Sequence, residues 1–172
     1  KNLTISINNA IKKIDDMLTE QLRHIMHHPE FQKLEGSWRG LKYLTASVPT
    51  APNMKIKVLN VSKEELVNEF KSADEFDQNE LFKKLYETEF GTAGGEPYGV
   101  LIGDYEFSNS HEDVNLIKEI SKVSAAAFCP FISAASPQMF GFQNYEDLGK
   151  PYDLAKIFDS VEYAEWRGFR DS

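Results

Sequence analysis

Apolar residues recur at Ile7, Ile11, Ile14, Leu18 and Ile25 in alternating steps of four and three, with only Gln21 out of series. That spacing predicts one face of a helix over about Ser6 to His27. The alternation of Leu3, Ile5 and Ile7 with Thr4 and Ser6 also suits a short strand at the start. Pro29 cannot continue a preceding helix without losing a hydrogen bond, but it fits the first position of a new one. From there Phe31, Leu34, Trp38, Leu41 and Leu44 repeat at helical spacing, and Trp38, in the middle of that face, is expected in the core. Gly36 and Gly40 lie one turn apart on another face. Each costs roughly 1 kcal/mol of helix propensity, so a close backbone approach by another element is the expected compensation.

Pro49 and Pro52 close this helix and open a loop. Met54 to Val61, rich in β-branched residues, reads as a strand. Ser62 and Glu65 then form a capping-box pattern ahead of Leu66, Val67 and Phe70. A further helix is predicted over Gln78 to Phe90, with Glu80 and Lys84 at pairing distance. After the glycines at 91, 94 and 95, the run Tyr98 to Tyr105 suits a strand buried on both faces. Ser110 and Asp113 start a helix to about Phe128, and Phe131 to Ala135 follows as a short strand. The chain then becomes loop-rich, with Gly141, Gly149 and Pro151, before a short helix from Asp153 and a last one over Ser160 to Arg170.

Strands alternating with helices predict an α/β fold with a mixed or parallel central sheet covered by helices, preceded by an amino-terminal helical pair. Residues 1–48 form the helical segment and residues 49–172 the α/β segment. The chain is expected to continue beyond Ser172, because its last helix has no closing element.

Composition narrows the functional classes. The 172 residues are 41 % apolar, with 12 Phe, 7 Tyr and 2 Trp, enough to build a core. A net charge of −8 disfavours nucleic acid as a partner, although Arg167 and Arg170 form a local basic pair. No stretch approaches the roughly 20 apolar residues of a membrane span, and there is no secretory leader pattern, so membrane insertion is not expected and a cytoplasmic location is. Cys129 stands alone, which leaves no disulfide framework.

Candidate chemistry is sparse. The glycines at 91, 94, 95 and 99 follow a helix and precede a strand, the reverse of a phosphate-cradling loop, and no Gly-Lys-Ser/Thr sequence occurs. No cofactor is expected. His24 with His27 or His28 has the spacing of two metal ligands but no third ligand nearby, so these histidines read as a helix end. Asp104 and Glu106 at a strand end, followed by His111, Glu112 and Asp113, form the best acidic candidate and support the alternative of a soluble enzyme or ligand-binding domain. First-turn acids are also the ordinary response to a helix dipole. A generic interaction module is the third possibility.

The run His27-His28-Pro29-Glu30-Phe31-Gln32-Lys33-Leu34-Glu35-Gly36-Ser37-Trp38-Arg39-Gly40-Leu41 closely resembles the signature of the large sheath subunit of type VI secretion, the TssC/VipB family. Phe82 to Tyr105, Ala126 to Phe140 (AAFCPFISAASPQMF) and Phe158 to Ser172 (FDSVEYAEWRGFRDS) agree in the same order. Within these stretches Pro29, Phe31, Leu34, Glu35, Trp38, Arg39, Gly40, Leu41, Gly103, Asp104, Trp166 and Arg167 are the signature positions, with structural and not catalytic roles. The resemblance implies a protein that is not an enzyme. It implies pairing with a small sheath subunit of the TssB/VipA type and stacking of such pairs into a tube around an inner tube on a baseplate. Contraction then ejects the inner tube, and an AAA+ ATPase takes the sheath apart.

Overall fold

The computed structural model describes residues 2–49, 54–73, 75–150 and 153–172; Pro52 and Pro151 lie outside them. The described residues divide into two compact units, residues 1–58 and 59–172.

In the first unit, helix α1 spans Asn2–Met26 and helix α2 spans Pro29–Ser47. The alternating start at Leu3 to Ile7 is therefore helical: once the four-three series that follows has nucleated a helix, propagation adds one bond per residue. His28 is extended and Pro29 occupies the first turn of α2, where its missing N–H costs nothing. Neither helix buries a residue.

Met54 to Val61 has no regular secondary structure and pairs with no strand among the described residues, which corrects the predicted strand. β-branched alternation stabilises a strand only against a neighbour, and the sheet of the second unit contains β1, Leu101–Phe107, and β2, Phe131–Ala135. Helix α3, Lys63–Ser72, begins with the full capping box: Glu65 N–H donates to Ser62 Oγ, and the Glu65 carboxylate accepts from Ser62 N–H at 2.7 Å. A one-turn helix α4, Glu80–Phe82, runs into a π-helical stretch, Lys83–Phe90. Here Glu80 pairs with Lys83 at 3.0 Å.

The core of the second unit is a crossover. β1 leads into helix α5, His111–Ala126, which returns the chain to β2 parallel to β1, with Leu101 opposite Phe131 and Ile102 opposite Ile132. The register slips between Gly103 and Glu106, where Ser133 Oγ lies within hydrogen-bond distance of the carbonyls of both Gly103 and Tyr105. α5 carries Leu116, Ile120 and Val123 into two adjoining apolar clusters, one with Leu66 and Phe107, the other with Phe82, Leu85 and Cys129. Gly103 is required by this packing: a Cβ there would sit 2.6 Å from Phe131 Cζ.

The strand at 98–105 was expected to be buried on both faces; instead β1 alternates, with Ile102 62 % exposed and Asp104 exposed beside it. The crossover helix α5 and helix α3 cover one face, and no other element of the described residues buries the second. Beyond β2 the chain makes short turns of helix, then α6, Leu154–Ile157, and α7, Ala164–Arg170.

Candidate assembly surface

α2 displays most of the signature positions. Phe31 and Leu34 are exposed and Leu41 is half-buried. Trp38 is 64 % exposed, which overturns the core assignment. Helical spacing identifies an apolar face but not what covers it, and no described residue buries this one. Glu35 and Arg39 form an ion pair at 2.7 Å along the helix surface, an arrangement worth little in water. Among the described residues no atom lies within 4 Å of a Cβ built at Gly36 or Gly40, so the expected close approach is not made by any of them. On α1 the stripe Ile7, Ile11, Ile14, Leu18 and Ile25 is likewise exposed. Where α1 meets α2, His24, Ile25, His28, Phe31 and Leu34 line an open apolar hollow.

The acidic residues near Asp104 do not converge. Asp104 stands on the exposed face of β1. His111 Nδ1 sits 3.0 Å from both carboxylate oxygens of Glu165 on α7, while Glu112 pairs with Lys71 of α3 at 2.9 Å. Asp113 turns inward: it accepts from Ser108 N–H at 2.7 Å and Ser108 Oγ at 2.8 Å, and pairs with Lys63 Nζ at 2.6 Å. Burial pushes its carboxyl up, but the bonds from Lys63 and Ser108 outweigh that and hold it below the usual aspartate range. Lys63 also donates to the Glu106 carbonyl at 2.8 Å.

These groups floor an open cavity of about 460 Å³ at the carboxyl ends of β1 and β2, with Ser136, Gln138 and Tyr145 on its walls. Ligands of α/β folds occupy this position, yet Lys63 and Asp113 are engaged with each other, and the carboxylate that the Ser108 hydroxyl meets is the one already paired with Lys63. Tyr145 donates to the Ala135 carbonyl at 3.0 Å, and burial, then Glu106, raises its phenol. Among the described residues no group of three or more His, Cys, Asp or Glu is placed to hold a metal ion. No helix is long and apolar enough to cross a membrane.

Arg167 is a brace. Its Nη1 donates to the carbonyls of Phe158 and Ser160, both at 2.6 Å, and pins the turn that precedes α7. Trp166 is half-buried with its ring 5.7 Å from that of Phe169, and Arg170 pairs with Asp171. Sequence reasoning missed a ladder of aromatic rings through Phe82, Tyr86 and Phe90 to Phe128. The step of four between the first three was its only legible trace.

The profile of the family described as EvpB/VC_A0108, tail sheath N-terminal domain (VipB), matches residues 8–172. The chain is 51 % identical over 170 residues to the type VI secretion system sheath protein TssC1 of Pseudomonas aeruginosa strain PAO1, an alignment covering 97 % of this chain and 34 % of that protein. The chain thus spans about a third of the length of that curated relative.

Proposed function

The chain belongs to the VipB tail-sheath family, and on that premise we propose that it is part of a large structural subunit of the type VI secretion contractile sheath. In this reading it works in the cytoplasm, pairs with the small sheath subunit and polymerises with other protomers around the inner tube, on the baseplate. Contraction drives the inner tube outward, and an AAA+ ATPase acts on the spent sheath. The subunit's own contribution is packing, not catalysis.

The observation that carries the reading is the apolar surface left uncovered on α1 and α2. Helices of this kind owe most of their stability to the burial of an amphipathic face, and large exposed apolar surfaces mark sites of association. A contractile lattice needs two packing arrangements of each protomer, close in free energy and repeated along the tube. Rigid units with unfilled docking faces suit that requirement. A soluble enzyme using the acidic group near Asp104 has no comparable support, because those side chains point to separate partners.

Co-expression of the intact large subunit with the small subunit tests the proposal. Co-purification of the pair and long hollow tubes by electron microscopy are expected, whereas the 172-residue chain alone should give small soluble species. A pair that neither co-purifies nor assembles would refute the sheath reading.

A further inference from the structure

The two edges of the β1–β2 sheet are unlike. Leu101 N–H donates to the Pro130 carbonyl at 2.9 Å, and Ser136 N–H donates to the Phe107 carbonyl at 2.8 Å. Backbone groups of successive strand residues point to opposite sides of the strand. The even-numbered positions of β2 therefore face β1, while Phe131, Ser133 and Ala135 direct their N–H and carbonyl groups to the far edge. The Ala135 carbonyl there accepts from the Tyr145 hydroxyl at 3.0 Å. Among the described residues nothing bonds the N–H or the carbonyl of Phe131 or Ser133.

The other edge of the sheet is guarded. β1 carries Asp104 and Glu106, slips register between Gly103 and Glu106, and has its Glu106 carbonyl taken by Lys63 at 2.8 Å. Charges and bulges of this kind keep an edge from pairing. β2, with the sequence Phe-Ile-Ser-Ala-Ala, has no charged residue and no proline. A parallel ladder of two strands is weak by itself, and parallel strands belong to larger sheets. The unguarded edge of β2 is shaped to accept a strand, because its unmet groups are backbone donors and acceptors at strand spacing.

The topology says which strand. α5 carries the chain from β1 to β2, and after β2 the chain enters helical turns again and reaches α7. Glu165, in the first turn of α7, meets His111, in the first turn of α5, at 3.0 Å, so α7 starts beside α5 on its side of the sheet. Crossovers between parallel strands are almost always right-handed. A strand entered from a helix on that side falls beyond β2 and away from β1, which is the edge left unpaired. The matching family profile describes an amino-terminal domain, and the curated relative is about three times as long as this chain.

We propose that in the intact large subunit the segment following α7 pairs with the outer edge of β2 as a third, parallel strand. Backbone hydrogen bonds to Phe131 and Ser133 then join this domain to the remainder of the subunit. The edge is closed within the subunit and offers no template to a neighbouring chain. The inference rests on the reading above that the chain is part of a longer sheath subunit.

The test uses the intact large subunit, purified with and without the small subunit. Ile132 is 58 % exposed on the open face of the sheet, so p-benzoylphenylalanine incorporated in its place reaches the neighbouring strands on both sides. Light-induced cross-links, located by mass spectrometry, are expected in β1 and within about 15 residues after Ser172, the span of a short connection and one strand. Capture of β1 alone, of a remoter part of the chain, or of the small subunit overturns the proposal. Hydrogen exchange gives a readout without substitution. The amides of Phe131 and Ser133 should exchange as slowly as those of Ile132 and Ala134, which face β1. Exchange of residues 131 and 133 at the rate of open backbone also overturns it. Failure of the two subunits to co-purify or form tubes removes the sheath reading, whereas the cross-link and the exchange are read on the large subunit alone.

Discussion

Replacing Asp113 tests the inward-turned acid that joins three elements of the second unit. Its carboxylate receives Ser108 N–H and Ser108 Oγ from the β1–α5 loop and Lys63 Nζ from the start of α3, at 2.6 to 2.8 Å. A hydrogen bond to a charged group nets about 1.5–3 kcal/mol. The three are not additive, and the Lys63 side chain, 30 % exposed and still bonded to the Glu106 carbonyl, is not stranded when its partner is removed. Asp113→Ala should therefore cost about 3 kcal/mol, below the upper range for breaking a fully buried pair. Asp113→Asn keeps an acceptor for Ser108 and loses only the charge, so about half that cost is expected. Urea unfolding followed by far-UV circular dichroism measures both. The pH dependence supplies a second readout. Because the folded pKa is depressed, the stability from ionised Asp113 is complete above the unfolded aspartate value, near about pH 4, and is lost as pH falls through the folded pKa. The gap between the parent and Asp113→Asn should close over that acidic window. An Asp113→Ala variant within about 1 kcal/mol of the parent at neutral pH, below the value of one charged bond, would refute the reasoning.

Gly103→Ala places a methyl group 2.6 Å from the ring of Phe131, so the ring must move and a loss of about 1–3 kcal/mol is expected, typical of overpacking. A matching change in the Phe131 ring resonances would accompany it. Trp38→Ala should leave the urea midpoint of the isolated chain within about 0.5 kcal/mol of the parent, as for other surface substitutions, because the side chain is largely solvated. A loss near 3 kcal/mol, the cost of truncating a core aromatic, would show that Trp38 is buried after all.

What was legible in the sequence was local. Pro29 and the Ser62–Glu65 box set helix starts through contacts within three or four residues, and both stand where expected. The β1–α5–β2 crossover was equally legible, as a helical period held between two apolar runs and closed by Pro130. Burial was not. The faces of Ile7 to Ile25 and Phe31 to Leu44 have core-like spacing, but spacing is satisfied equally by a core and by a docking face, and Trp38 fell on the wrong side of that choice. Met54 to Val61 failed as a strand because β propensity expresses a fit to neighbours that the segment does not have. Within the acidic group the positions were anticipated and the partners were not: Lys63 reaches Glu106 across 43 residues and His111 reaches Glu165 across 54. The positive φ of Phe128 had no signal at all, since the sequence shows phenylalanine where glycine would have announced the turn.

The crossover also bears on when this protein can fold. Its two strands lie one helix apart, so that Ser133 reaches the Gly103 carbonyl across only 30 residues. A loop of that length closes at modest entropic cost, and contacts of short sequence separation form quickly. The central layer can therefore assemble while residues after Ala135 are still being synthesised, and the turns and helices that follow, α6 and α7 among them, add to a platform already in place.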